Sequence, residues 1–271
     1  MLTIRKQNEL QKPLLIALIG TGLIIMTSTV LGKEVVKSVT DIMYILITGI
    51  FVALTILIVW RFRTTGSHGK AWLFFLGTAV SWFIAETTWT VYELVYNVNP
   101  FPSIADAFYL MGYPFMFGFL IYYLRPVRKA ATRKLIITAI GISATIAIPS
   151  IYMAYSFDPS VSVLENVLAT AYPIVDAIVF VPALIGLVLF FRGEVNFTWS
   201  LICTGIFCST IGDLGFQFTT FTNTYYTGHP VDIILIWSYI LFSFGVYDHI
   251  KIFKKDKPVE GKVKRHSDSR F

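Results

Sequence analysis

The sequence predicts an all-α, polytopic membrane bundle of eight transmembrane helices, built as a parallel duplication of a four-helix unit. Three observations carry that expectation. Hydrophobic residues fill 55% of the 271 positions and charged residues only 14%, where a soluble domain carries nearer a quarter. The apolar residues come in long runs, and a bilayer core requires about 20 in succession. Lys and Arg then divide between alternate loops with a strong bias.

Apolar runs read against polar breaks place the spans near 13–31, 39–61, 71–97, 103–124, 135–156, 163–191, 198–221 and 230–248. Each is read as a helix, because lipid offers no partner to backbone amides and a barrel would show short alternating segments. The first run, Pro13 to Leu31, follows Arg5, Lys6 and Lys12. It is long for a signal peptide, lacks a clear small-x-small cleavage site and leads directly into further spans, so it reads as the first anchor. Pro114 and Pro173 are expected to kink spans four and six. Residues 1–248 then form the bundle, with one repeat near 13–125 and the other near 135–248. Residues 249–271 form a basic tail expected to be disordered. Cys203 and Cys208 share one apolar run and read as small helix residues, since they match neither a metal spacing nor a disulfide framework.

Orientation follows from the basic residues. With eight spans, the termini and alternate loops share one side, which holds 20 Lys and Arg, among them Arg61, Arg63, Lys70, the stretch Arg125 to Lys134, and Arg192. The other side holds only Lys33 and Lys37. The basic side is therefore expected in the cytoplasm of a cell membrane, with both termini there. The basic loop and tail suit anionic headgroups. Nothing resembles a nucleic-acid module.

Corresponding residues recur in order along the two halves. Trp72 and Trp199 each open a span 127 residues apart, and the same offset takes Glu86 to Asp213 and Trp89 to Phe216. An offset of 126 takes Asp106 to Asp232, Tyr113 to Tyr239 and Arg125 to Lys251. Val39-Thr40-Asp41 falls opposite Ile174-Val175-Asp176. Membrane proteins built from repeats often place a site where the repeats meet.

Ionisable groups inside a membrane are costly and usually mark function. Glu86 lies 16 residues beyond Lys70, about 24 Å along a helix at 1.5 Å per residue. Asp213 and Asp176 reach a similar level, while Asp106 and Asp232 sit at the outer mouths of their spans. Asp41, Glu93 and Glu165 are expected near the outer surface. No Lys or Arg occurs in 71–124, 135–191 or 193–250, so protonation, hydrogen bonding or a bound cation must neutralise these acids. Trp82, Glu86, Trp89 and Glu93 share one helical face, as do Asp106, Tyr109 and Tyr113, and likewise Glu165, Tyr172 and Asp176. Acids interleaved with aromatic rings suit a cationic or amphipathic ligand, because a ring face attracts cations as a carboxylate does. The alternative use of the same groups is structural, with carboxyls bonding Tyr, Trp and Ser/Thr between helices. The ligand- or proton-binding set is therefore Glu86, Asp106, Asp176, Asp213, Asp232, Trp82, Trp89, Tyr109, Tyr113 and Tyr172. His229, three residues before Asp232, offers a weaker metal-binding alternative. No cofactor motif is present.

The stretch Pro100-Phe101-Pro102-Ser103-Ile104-Ala105-Asp106-Ala107-Phe108-Tyr109, followed by Gly112-Tyr113-Pro114, resembles a membrane region of prokaryotic signalling proteins. There a multi-span module precedes a diguanylate-cyclase (GGDEF) or histidine-kinase output. Ala171-Tyr172-Pro173-Ile174-Val175-Asp176 and the stretch from Gly212-Asp213 to Asp232 are similar to the same module, so the resemblance covers spans two to eight. It implies a prokaryotic origin, a sensory role and no enzymatic activity in the membrane part. Only a basic tail follows Asp248, so signalling is expected to pass through a partner in the membrane or cytoplasm.

Three functions compete at this point. A sensor or binding module with an outward-facing acidic-aromatic site accounts for most features. A cation- or proton-coupled transporter would use the same carboxylates. An intramembrane aspartyl protease would use Asp176 and Asp213 as a dyad. For that family's Gly-x-Gly-Asp signature, however, position 210 would be Gly and is Thr, and Pro182-Ala183-Leu184 precedes Asp213 instead of following it.

Overall fold

The computed structural model describes residues 2–62, 65–155, 161–190 and 196–252. Its α-helices are α1 (Leu2–Val30), α2 (Lys33–Phe62), α3 (Gly66–Thr90), α4 (Ile104–Leu124), α5 (Arg133–Ala154), α6 (Val163–Leu189), α7 (Asn196–Phe221) and α8 (Pro230–Ile252). A π turn, Val91–Val95, extends α3, and a 3₁₀ turn, Arg128–Ala130, joins α4 to α5. No strand occurs among the described residues. Seven of the eight α-helices are long and apolar enough to cross a membrane; α3 is the exception. Of the tail expected over 249–271, residues 249–252 continue α8 and 253–271 lie outside the described residues, as do Arg63 and Arg192.

Local chemistry explains where the helices begin. Ser103 caps α4 in a full capping box: its hydroxyl accepts from Ala105 N, and Asp106 Oδ2 accepts from Ser103 N at 2.7 Å. Thr132 and Ser162 cap α5 and α6 by accepting from Leu135 N and Glu165 N. These contacts satisfy amide groups that a helix start leaves without partners. Pro114, Pro149, Pro173 and Pro182 all sit inside helices that continue past them.

Packing sorts the apolar residues into two populations. Trp72, Trp199, Phe51, Phe75, Phe119 and Phe242 are fully buried, with Phe75 on Phe119 at 4.3 Å and Tyr123 on Trp199 at 4.9 Å between ring centroids. Gly186 lets α6 approach α7, since a Cβ there would land in the Trp199 indole. Leu46, Ile137 and Ile148 are at least 60% exposed, an apolar exterior that suits lipid and would be a liability in water.

The N-terminal parts of α2, α4, α6 and α8 meet at one end of the bundle. Tyr172 of α6 donates to Asp106 of α4 at 2.8 Å, and Tyr44 of α2 donates to Asp232 of α8 at 3.1 Å. At the opposite end Arg61 Nη1 donates to Ile250 O, Thr198 donates to Asp248 at 2.6 Å, and the His68 and His249 rings stand 3.0 Å apart at Nε2.

Candidate functional site

A cavity of about 480 Å³ occupies the end where those N-termini meet. Glu86, Asp106, Asp213 and Asp232 line it, with Glu165 among residues from the C-terminal end of α5 and the start of α6. Trp82, Trp89, Tyr109, Tyr113 and Tyr172 line it as well, so nine of the ten residues singled out from sequence share one chamber. None of the described lining residues is Lys or Arg.

Asp176 is the exception. It is 5% exposed, does not line the cavity, and sits behind Tyr113, whose hydroxyl lies 3.0 Å from Asp176 Oδ1 and 2.8 Å from Asp213 Oδ2. Thr210 adds only a long contact of 3.4 Å to Asp176. One tyrosine has one proton to give. The three groups are therefore satisfied together when one carboxyl keeps its own proton and donates it to the tyrosine oxygen.

The deep acids and the mouth acids differ in what satisfies them. Glu86 accepts from the Tyr239 hydroxyl at 2.7 Å, and Asp213 accepts from the hydroxyls of Tyr113 and Ser209. Asp106 and Asp232 each add a backbone amide near a helix start, Ser103 N and Gly228 N, both at 2.7 Å. Asp232 also accepts from Tyr225 at 3.1 Å. Amide donors and the positive end of a helix favour the charged form of an acid. The mouth acids thus have amide donors that the deep acids, served by hydroxyls alone, do not.

The donors to the deep acids cross the bundle. Tyr113 of α4 reaches Asp213 of α7, and Tyr239 of α8 reaches Glu86 of α3. The mouth contacts cross too, α6 to α4 and α2 to α8. Trp82 stands between the two deep tyrosines, with centroids 5.9 Å from Tyr113 and 5.8 Å from Tyr239, and its indole N–H donates to Tyr109 O. Trp89 donates to Glu93, which also accepts from Thr227 of the loop before α8.

Tyr44, Tyr225 and Tyr239 line the cavity too, and none of them belongs to the set that the sequence singles out. Tyr239 carries a signal, its 126-residue offset from Tyr113. Tyr44 and Tyr225 carry none, because the contacts that place them depend on the fold. His229 does not join a metal site: no group of three or more His, Cys, Asp or Glu is placed to hold a metal among the described residues. Its Nδ1 accepts from Val231 N at 3.3 Å, as Ser103 serves Ala105 at α4, and burial pushes its pKa down. Asp176 and Asp213 meet at one hydroxyl, so a protease dyad would have Tyr113 standing between its carboxyl groups.

Compared with protein-family models, curated proteins and solved structures, the chain matches none.

Proposed function

We propose that this chain is an eight-span membrane receptor module whose cavity faces outward and binds a small organic cation. The observation that carries the reading is a chamber of about 480 Å³ whose described lining has five carboxyl groups, an aromatic wall and no basic side chain. Carboxylates supply net charge, and rings supply both apolar contact and attraction to an ammonium group. On this reading α3 is the eighth span, shielded by α2 and α4, and the basic loops lie in the cytoplasm. The two halves are repeats: crossed tyrosine–acid bonds relate α4–α7 to α8–α3, and matching caps start α4 and α8. Occupancy would be reported to a signalling partner, as the resemblance to sensory membrane modules implies.

The test uses purified full-length protein in lipid nanodiscs, with choline and its uncharged isostere 3,3-dimethyl-1-butanol as probes. Tryptophan fluorescence, from Trp82 and Trp89 in the wall, should respond saturably to choline alone. The paired change Glu86→Gln and Asp213→Asn should remove the response. Equal responses to both probes, or none to choline, would overturn the reading.

A second reading is a proton conduit. Tyr113 links the cavity acid Asp213 to Asp176 outside the cavity, a first step of a relay. Proteoliposomes with no proton flux above protein-free vesicles would remove it.

A further inference from the structure

Beside the cavity, and outside its lining, lies a carboxyl group that no described residue satisfies. Asp41 of α2 is 1% exposed, and neither of its oxygens has a hydrogen-bond partner. The charges it feels most are Glu93 and Glu86 of α3, Asp232 of α8, and Lys37 one turn earlier on α2. Lys37 is engaged with Glu34 at 2.8 Å. A buried charge without a counter-charge is among the most costly groups a fold can hold.

Two hydroxyls on the same pair of helices are also unsatisfied. Thr40 and Thr90 are 0% and 8% exposed, and neither Oγ1 has a partner. A helical threonine ordinarily returns its hydroxyl to a carbonyl one turn back. Thr48, Thr55, Thr87 and Thr88 do so on these same helices. Thr90 lies four residues after Glu86 and three before Glu93, on the face that carries both. Directly after it α3 widens into the π turn 91–95, a departure from α geometry that recurs at functional sites.

The residue corresponding to Asp41 in the second half behaves differently. Asp176 has Tyr113 and Thr210 beside it. The tyrosine corresponding to Tyr113 is Tyr239, and it serves Glu86. One half thus supplies hydroxyl partners where the other leaves oxygen atoms open.

We infer that Asp41, with the hydroxyls of Thr40 and Thr90, forms a site for a dehydrated monovalent metal cation of the sodium class. A proton would neutralise the carboxyl and give it one donor, which can serve at most one of the two hydroxyls. An alkali ion takes several oxygens at once and supplies the missing charge. An organic cation belongs to the cavity, which none of the three residues lines. A divalent ion calls for a richer set of charged ligands than is placed here among the described residues. Glu86 lines the cavity and its charge acts on Asp41, so an ion at Asp41 would change the field felt by a cavity ligand.

The experiment is a thermal-unfolding titration of the full-length protein in detergent, with NaCl replacing N-methyl-D-glucamine chloride at fixed ionic strength and pH. Wild type should gain a saturable rise in Tm with Na⁺. Thr90→Val should raise the half-saturating concentration by about tenfold or more, the usual scale when a supporting partner of a metal site is removed. Asp41→Asn should abolish the response, and Tyr152→Phe on the exterior should leave it unchanged. If Asp41→Asn does not fold, ²²Na⁺ equilibrium binding to wild type and Thr90→Val decides the matter. No Na⁺-specific rise in wild type overturns the inference. So does a response that tracks pH alone, or wild-type half-saturation in Thr90→Val.

Discussion

Replacing Tyr113 with Phe removes one oxygen atom and leaves the ring in place, which makes it the cleanest probe of the carboxyl network. That oxygen is shared by Asp176 at 3.0 Å and Asp213 at 2.8 Å. Without it, Asp176 keeps only Thr210 at 3.4 Å and Asp213 only Ser209 at 3.5 Å. Side-chain hydrogen bonds within membranes average about 0.6 kcal/mol and reach about 1.7. A buried acceptor stripped of its donor costs about 1–3 kcal/mol. The substitution strips two carboxyl groups of their shared hydroxyl, and one of them is only 5% exposed. The expected loss of stability is therefore about 2 kcal/mol. For a chain of this length that is a fall in Tm of about 4–8 °C. Tyr239→Phe takes a hydroxyl from Glu86 alone and should cost about half as much. Tyr152→Phe, on a side chain 78% exposed, should cost nothing measurable. Fluorescence-detected unfolding in one detergent compares all three. A Tyr113→Phe loss no larger than that of Tyr239→Phe, or equal to that of Tyr152→Phe, would refute the shared-hydroxyl arrangement.

Three further perturbations test other parts of the molecule. At Gly112 an added Cβ would land in the Trp82 indole; Gly112→Ala should push that ring off Tyr109 O and weaken choline binding about tenfold, equivalent to about 1.4 kcal/mol. Thr198→Val deprives buried Asp248 of a 2.6 Å donor and should lower stability by about 1–2 kcal/mol, read by the same thermal assay. His229→Asn tests the α8 cap through pH. Burial holds the His229 pKa below 6.5, so its contribution to stability is complete above pH 6.5 and is lost as pH falls below that value. Protonation also removes the Nδ1 acceptor from Val231 N, which an Asn oxygen would keep. The drop in Tm from pH 7.5 to 5.5 should therefore be smaller in the variant, and an equal drop would exclude His229 as its source.

The span pattern is legible in the sequence because lipid imposes it. Helices α6 and α8 start at Val163 and Pro230, where the apolar runs place them. Ser162 caps the first, and Pro suits the first helical position of the second. Helix α2 starts at Lys33 instead of 39, because Lys33, Glu34 and Lys37 read as a polar break yet form a helical turn with its own ion pair. Asp41, which the sequence places by depth alone, near the outer surface of the membrane, is buried against its neighbours. The loop before α8 folds back onto α2, with Gly228 against Val36, and no local pattern announces that contact. Depth and a face shared with Glu165 and Tyr172 group Asp176 with the cavity acids. Neither fixes what packs in front of a side chain, and Tyr113 stands between Asp176 and the chamber.

The crossed hydrogen bonds give the proposed module a way to convert occupancy into movement. Glu86 is held by α8 and Asp213 by α4, so on the proposed reading each deep carboxyl would be at once a ligand group and a tie between halves. A cation that draws Glu86 toward the chamber competes with the Tyr239 hydroxyl, and the same applies to Asp213 and Tyr113. Ligand binding and inter-half packing then use the same oxygen atoms, which is the differential contact that a population shift requires. Helix α8 is the element best placed to carry the change. It holds Asp232 and Tyr239 at the cavity, and its far end carries His249 against His68 of α3 and Ile250 under Arg61 of α2. A ligand that released Tyr239 would act on a helix whose other end is bonded to two neighbours on the side where the basic loops gather.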